Sequence, residues 1–146
     1  MPSQDNTSLV RKLFECYNKN NPNQLNCFEE VLTSDVKLHD PAVSNLKPGI
    51  QGIKQAENSY ITAFPNRSAT IDAILTSGDQ VIVRWTATGT HKGKFHGMNP
   101  TNKDFKISGI SIYRISRDKI SEIWQVWDHF GLLSQLGELH YAQAAR

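Results

Sequence analysis

The sequence is poor in features that usually announce a function. Its 146 residues carry a net charge of +2. No run of like charge exceeds a few residues, so neither nucleic acid nor an anionic membrane is an expected partner. No apolar stretch reaches the roughly 20 residues that a membrane helix needs. Met1 to Ser8 is polar and lacks an apolar signal core. The two cysteines, Cys16 and Cys27, have no CxxC spacing and lie in segments that read as helices. Two reduced, buried thiols of a cytoplasmic protein are the expected state, with a disulfide second and a catalytic role third. The five histidines show no HxH or HxxxH pair, so no metal site is expected. Phosphate loops, dinucleotide fingerprints and nucleophile elbows are absent. Without repeats, low-complexity segments or composition breaks, residues 1–146 read as one domain.

What is present is a change of periodicity halfway along the chain. Leu9, Val10, Leu13, Phe14 and Tyr17 recur at helical spacing after the caps Asn6, Thr7 and Ser8. Asn20 to Asn23 interrupts them. Leu25, Phe28, Val31 and Leu32 suggest a second helical face, begun by Pro22. Val36 to Asp40 reads as a short strand, and Ile50 to Ala63 as a third helix. Four longer strands follow: 69–76, 80–91, 105–115 and 120–128. Ser77-Gly78-Asp79 and Arg117-Asp118 form the hairpin turns. A short helix from Phe130 stops at Gly137. Helices first and antiparallel strands second imply an α+β fold, a curved antiparallel sheet packed on N-terminal helices around a pocket.

The most suggestive residue is Asp128. It follows Trp124 and Trp127, and a carboxylate among large aromatics is costly to keep charged, which suits it to moving protons. If Arg117 and Asp118 are the turn residues, Asp128 lies opposite Ile107, Val126 opposite Gly109 and Trp124 opposite Ser111. These side chains then share the pocket face, and a slip of one residue would invert it. Asp128 has a second reading, as the cap of the final helix.

These motifs resemble the SnoaL-like polyketide cyclases, also called the ester cyclase family, over about residues 9–137. The matching stretches are His39-Asp40-Pro41, Ala63-Phe64-Pro65, Gly78 to Trp85, Gly89-Thr90-His91-Lys92-Gly93, Pro100-Thr101, Gly109, Tyr113-Arg114, and Trp127-Asp128 leading into Gly131 to Gly137. Asn66 and Asn102 stand where the family often has Asp and Gly. The resemblance implies the nuclear-transport-factor-two-like, cystatin-like roll, a cone-shaped α+β barrel. It also implies cofactor-free, intramolecular aldol-type ring closure, or a related proton-transfer isomerisation, of a small, mostly apolar carbonyl compound. Asp128 corresponds to the family's catalytic Asp and would be the general acid/base, so that Asp128→Asn would abolish turnover. A non-catalytic small-molecule binding protein, or a hydrolase or dehydratase using the same Asp, are the alternatives.

Several residues could support that chemistry. His91, ending the longest strand, could orient Asp128 or bond a substrate oxygen. His39 and Asp40 are strand neighbours on opposite faces, of which one could line the pocket; His39 is favoured. Tyr17 and Tyr60 could offer hydroxyls. Phe64, Trp85, Phe105 and Trp124, with Phe14 and Trp127, could wall an apolar site or merely pack the core. His96, in a Gly-rich loop, reads as solvated. Apolar and Thr side chains on both sheet faces (Ile82, Thr86 and Thr88 beside Val83, Trp85 and Ala87) suggest a homodimer or higher homo-oligomer.

Overall fold

A computed structural model describes residues 2–139. The order of elements is α1 (Pro2–Asn18), a 3-10 helix (Pro22–Glu30), β1 (Leu32–His39), α2 (Ile50–Ala63), β2 (Ser68–Ser77), β3 (Gln80–Thr90), β4 (Asp104–Ser116), β5 (Lys119–Trp127) and α3 (His129–Gln135). The strands form one sheet in the order β1-β5-β4-β3-β2. Its hairpins are antiparallel, but β1 runs parallel to β5 along the far edge, which the expectation of a purely antiparallel sheet did not include.

Local chemistry explains the connections. Gly78 takes a left-handed φ of 59° in the β2–β3 turn. Arg117 and Asp118, at 53° and 62°, make the two-residue β4–β5 turn. Two successive left-handed residues give a turn twisted in the same sense as its strands. Asn102 also has a left-handed φ, 61°, which accounts for glycine being common there. Asn66 bonds Thr90 twice, donating to its hydroxyl and accepting from its N–H, and so fixes the α2–β2 link to the end of β3.

The expected second helix is shorter and tighter. Asn21 caps it by accepting from Asn23 N–H at 2.9 Å, and Pro22 occupies its first position. Leu32 belongs to β1, which begins four residues before the expected Val36. The expectation of free thiols is also corrected. The 3-10 helix folds back against α1, bringing Cys16 and Cys27 to a Cα separation of 5.8 Å, and the two are disulfide-bonded. The cysteines therefore lend no support to a cytoplasmic location.

Two apolar clusters hold the helices to the sheet. Val10, Leu13, Phe28, Val31, Ile53, Val81, Val83, Ile120 and Ile123 belong to the first. The second includes Ala63, Phe64, Ala87, Phe95, Phe105, Ile107, Leu132 and Leu136. Phe14 and Trp85 pack against both, and the space between the clusters is incompletely filled.

Candidate active site

That space is an open hollow of about 140 Å³ between the helices and the inner face of the sheet. An apolar cavity of about 150 Å³ holds a benzene molecule. Most of the lining is apolar or aromatic, including Leu13, Phe14, Phe28, Ile53, Ile107 and Leu132. Of the expected residues, Tyr17, Tyr60, Phe64, Trp85 and Phe105 line it. Its charged residues are Asp40, Glu57 and Arg67.

Asp128 is not among the lining residues. It is exposed, and its Oδ1 accepts from Gly131 N–H at 2.8 Å as the N-cap of α3. The expected burial among aromatics is therefore corrected, and the physical reason is a bulge. Pairing begins in the expected register, with Ser116 opposite Lys119 and Ile115 opposite Ile120. It then shifts by one, so that Gly109 faces Trp127, Ser111 faces Gln125 and Ile112 faces Trp124. The shift inverts the face of every later side chain. Ile123, Gln125 and Trp127 point into the hollow, while Trp124, Val126 and Asp128 do not line it.

Trp124 and His39 are corrected together. Their rings stack at 5.4 Å on the outer face, with His39 Nε2 2.7 Å from Glu122 Oε2. The neighbouring Asp40 turns inward, as strand alternation requires. His91 is fully buried but lies outside the lining. Thr101 N–H donates to its Nδ1 at 3.3 Å, its backbone bonds Asn102 and Lys103, and its ring packs on Phe64. It organises the loop after β3 and does not reach Asp128 through any bond in the structure. His96 is exposed, as expected.

Asp40 is one of two carboxylates in the lining, and three donors hold it. Ala42 N–H donates to Oδ1 at 2.8 Å, while Gln125 Nε2 and Trp127 Nε1 donate to Oδ2 at 2.7 and 3.0 Å. The Gln125 amide is oriented in turn. Trp85 Nε1 donates to Ser111 Oγ at 2.9 Å, and Ser111 Oγ donates to Gln125 Oε1 at 3.2 Å. A hydrogen-bonded seam thus crosses β3, β4, β5 and β1 and ends on Asp40. With about four lone-pair sites on a carboxylate and three occupied, Oδ1 keeps one for a proton. Gly109 makes room for the seam: a Cβ there would lie 2.4 Å from the Trp85 indole and 2.7 Å from Trp127 Cβ.

Arg67 and Glu57 form the second polar group. Their ion pair closes at 2.7 Å, with the side chains 1% and 13% exposed. Arg67 Nε donates to Asn20 Oδ1 and Nη2 to Tyr17 O, and its guanidinium lies 3.7 Å over the Tyr17 ring. Burial opposes the charge on Arg67, but the Glu57 carboxylate and its hydrogen bond, with the Tyr17 and Tyr60 phenols, together outweigh that and hold the group protonated. Burial pushes the Tyr17 hydroxyl up against the opposing pull of Arg67. It raises Tyr60 strongly too, helped by the Asp40 and Glu57 carboxylates. Both phenols therefore remain protonated at neutral pH. At the start of α3, burial lowers His129, His96 adds to the effect, and Asp40 opposes it.

Sequence reasoning missed Gln125, Ser111, Glu57 and Arg67, and ranked Asp40 behind His39. The available signal was parity: once Trp127 is turned inward, Gln125 is a polar side chain on an apolar face.

Comparison with known proteins agrees with this architecture. The family model for SnoaL-like polyketide cyclases matches residues 7–136, and the chain belongs to that family. IdmH of Streptomyces antibioticus, described as a candidate polyketide cyclase, is 27% identical over 90% of this chain and 98% of its own, with a TM-score of 0.77. TsrD of Streptomyces laurentii matches at 24% identity over 93% and 97% of the two chains, TM-score 0.82. AclR of Streptomyces galilaeus, described as a candidate hydroxylase, matches at 22% over 96% and 89%, TM-score 0.81. No curated protein matches the chain.

Proposed function

We propose that the protein is a SnoaL-like cyclase or isomerase that moves a proton at a carbon next to a carbonyl of a small, mostly apolar compound, with Asp40 as the acid/base. The observation that carries this reading is the seam: three donors fix a carboxylate on the wall of a mostly apolar hollow, and one lone pair stays open. Asp40 Oδ1 takes the proton, the carbanion closes on a second carbonyl carbon of the same molecule, and the proton returns to the new alkoxide. Atoms and charge balance without a cofactor or an oxidant. Folding the substrate so that the two carbons meet would supply much of the remaining acceleration.

The alternative is a binding protein that retains an apolar metabolite unchanged. Incubation of an aryl β-keto ester with the protein in deuterium oxide separates the two. Deuterium is expected at the acidic carbon faster than in buffer, and retention of the ester with no excess deuterium would leave only the binding reading.

Ile110 and Val126, paired across β4 and β5, are 52% and 67% exposed on the outer face. Burial of that face against a second copy is the expected assembly. Sedimentation should give a dimer mass at micromolar concentration; a monomer mass at every concentration would contradict it. No helix among the described residues is long and apolar enough to cross a membrane. A cytoplasmic site of action fits that, while the disulfide is more usual in oxidising compartments.

A further inference from the structure

Two of the three Arg67 nitrogens are engaged, Nη2 partly through the ion pair with Glu57. Nε is taken by Asn20, and Nη2 by Tyr17 O and Glu57. Nη1 is buried and has no hydrogen-bond partner, although Arg67 lines the hollow. A buried donor left unpaired costs about 1–3 kcal/mol unless something accepts from it. Such a group is a ready contact for a ligand oxygen.

The charges around it decide what kind of oxygen. The lining carries one guanidinium against two carboxylates, Glu57 and Asp40, so its formal balance is negative. Glu57 already neutralises Arg67 at 2.7 Å. An incoming anion would gain little from the pair and would be repelled by Asp40 across a mostly apolar lining. A neutral carbonyl oxygen takes the donor without that penalty.

We propose that Arg67 Nη1 is the docking point for a neutral carbonyl oxygen of the ligand, and that the hollow selects uncharged ketones and esters against free carboxylates. This rests on the reading of the hollow as a small-molecule site. Arg67 is then a specificity-determining residue at the pole formed by Tyr17, Glu57 and Tyr60. Asp40 is the other carboxylate of the lining, and Tyr60 is under the influence of both.

The test uses three single-ring probes suited to the cavity: acetophenone, ethylbenzene and benzoate. Binding is read from the fluorescence of Trp85 and Trp127, both in the lining. Wild-type protein should bind acetophenone about three- to tenfold tighter than ethylbenzene, the worth of one hydrogen bond. Benzoate should bind roughly tenfold or more weakly than acetophenone. In Glu57→Gln the penalty on benzoate should shrink to about threefold or reverse, because the guanidinium is no longer neutralised. Equal binding of acetophenone and ethylbenzene would overturn the assignment of Nη1, and benzoate matching acetophenone would overturn the charge selection. The wild-type ranking decides both points even if Glu57→Gln folds poorly. Failure of all three probes to bind would remove the small-molecule reading itself. The expected ranking without catalysed deuterium exchange would leave this inference standing and remove only the acid/base role of Asp40.

Discussion

Glu57→Ala should lower the free energy of unfolding by about 3–5 kcal/mol, the loss typical when one partner of a buried ion pair is removed. The magnitude follows from what is left behind. Arg67 is 1% exposed, and without Glu57 its charge would rest on the Asn20 amide oxygen and one backbone carbonyl. Neither carries a compensating charge. The junction is also structural: Asn20 Nδ2 donates to Arg67 O at 2.6 Å, and Asn18 makes two bonds to Ala69, so the end of α1 is clamped to the start of β2. Replacing both partners with apolar residues, as in Glu57→Leu with Arg67→Met, should recover much of the loss, because no orphaned charge remains. Arg84→Ala supplies a contrast. Its partner Asp72 is 3.9 Å away and the pair is 61% and 27% exposed, so a change of under about 1 kcal/mol is expected. Guanidinium unfolding curves measure all four proteins. A loss below about 1 kcal/mol for Glu57→Ala would mean that water reaches the pair.

Asp40→Asn should reduce the rate of proton exchange or ring closure by about 10²–10⁴-fold, the usual worth of a general base. Ligand affinity should change by no more than roughly threefold, since side-chain volume is nearly conserved. The replacement also perturbs the seam in a specific way. Three N–H donors converge on the carboxylate, from Ala42, Gln125 and Trp127. An amide offers one acceptor oxygen and brings two N–H of its own, so whichever way it turns a donor faces a donor. A stability loss of about 1–3 kcal/mol is expected from that mismatch. The rate loss therefore has to be read under conditions where the variant is folded, with acetophenone binding as the control.

Much of the architecture could be read from local chemistry. Helix α2, both hairpins and the final helix lie within a residue or two of where caps, turn residues and periodicity place them. Those elements depend on neighbours in sequence, and neighbours are visible. The site was harder because it depends on pairing. A bulge next to Ser121 leaves no composition signature, yet it decides whether Trp124 or Gln125 faces inward. One shift by one residue moved the expected acid/base from the lining to a helix cap. The same alternation places His39 outside and Asp40 inside, and a dipeptide alone does not say which way the strand is turned. Arg67 and Glu57 were invisible for another reason: their partners Tyr17 and Asn20 come from α1 and the turn after it, far away in sequence. The disulfide is similar, because an eleven-residue separation is compatible with bonding only once the 3-10 helix folds back on α1.

The chemistry turns on which aspartate meets the substrate. Deuterium incorporation into one β-keto ester, followed in parallel for wild type, Asp40→Asn and Asp128→Asn, distinguishes them directly. Exchange by Asp128→Asn within about threefold of wild type, with Asp40→Asn slower by about two orders of magnitude or more, is the expected result. Exchange that survives in Asp40→Asn and disappears in a folded Asp128→Asn would contradict it, and would return the proton transfer to the residue that caps α3.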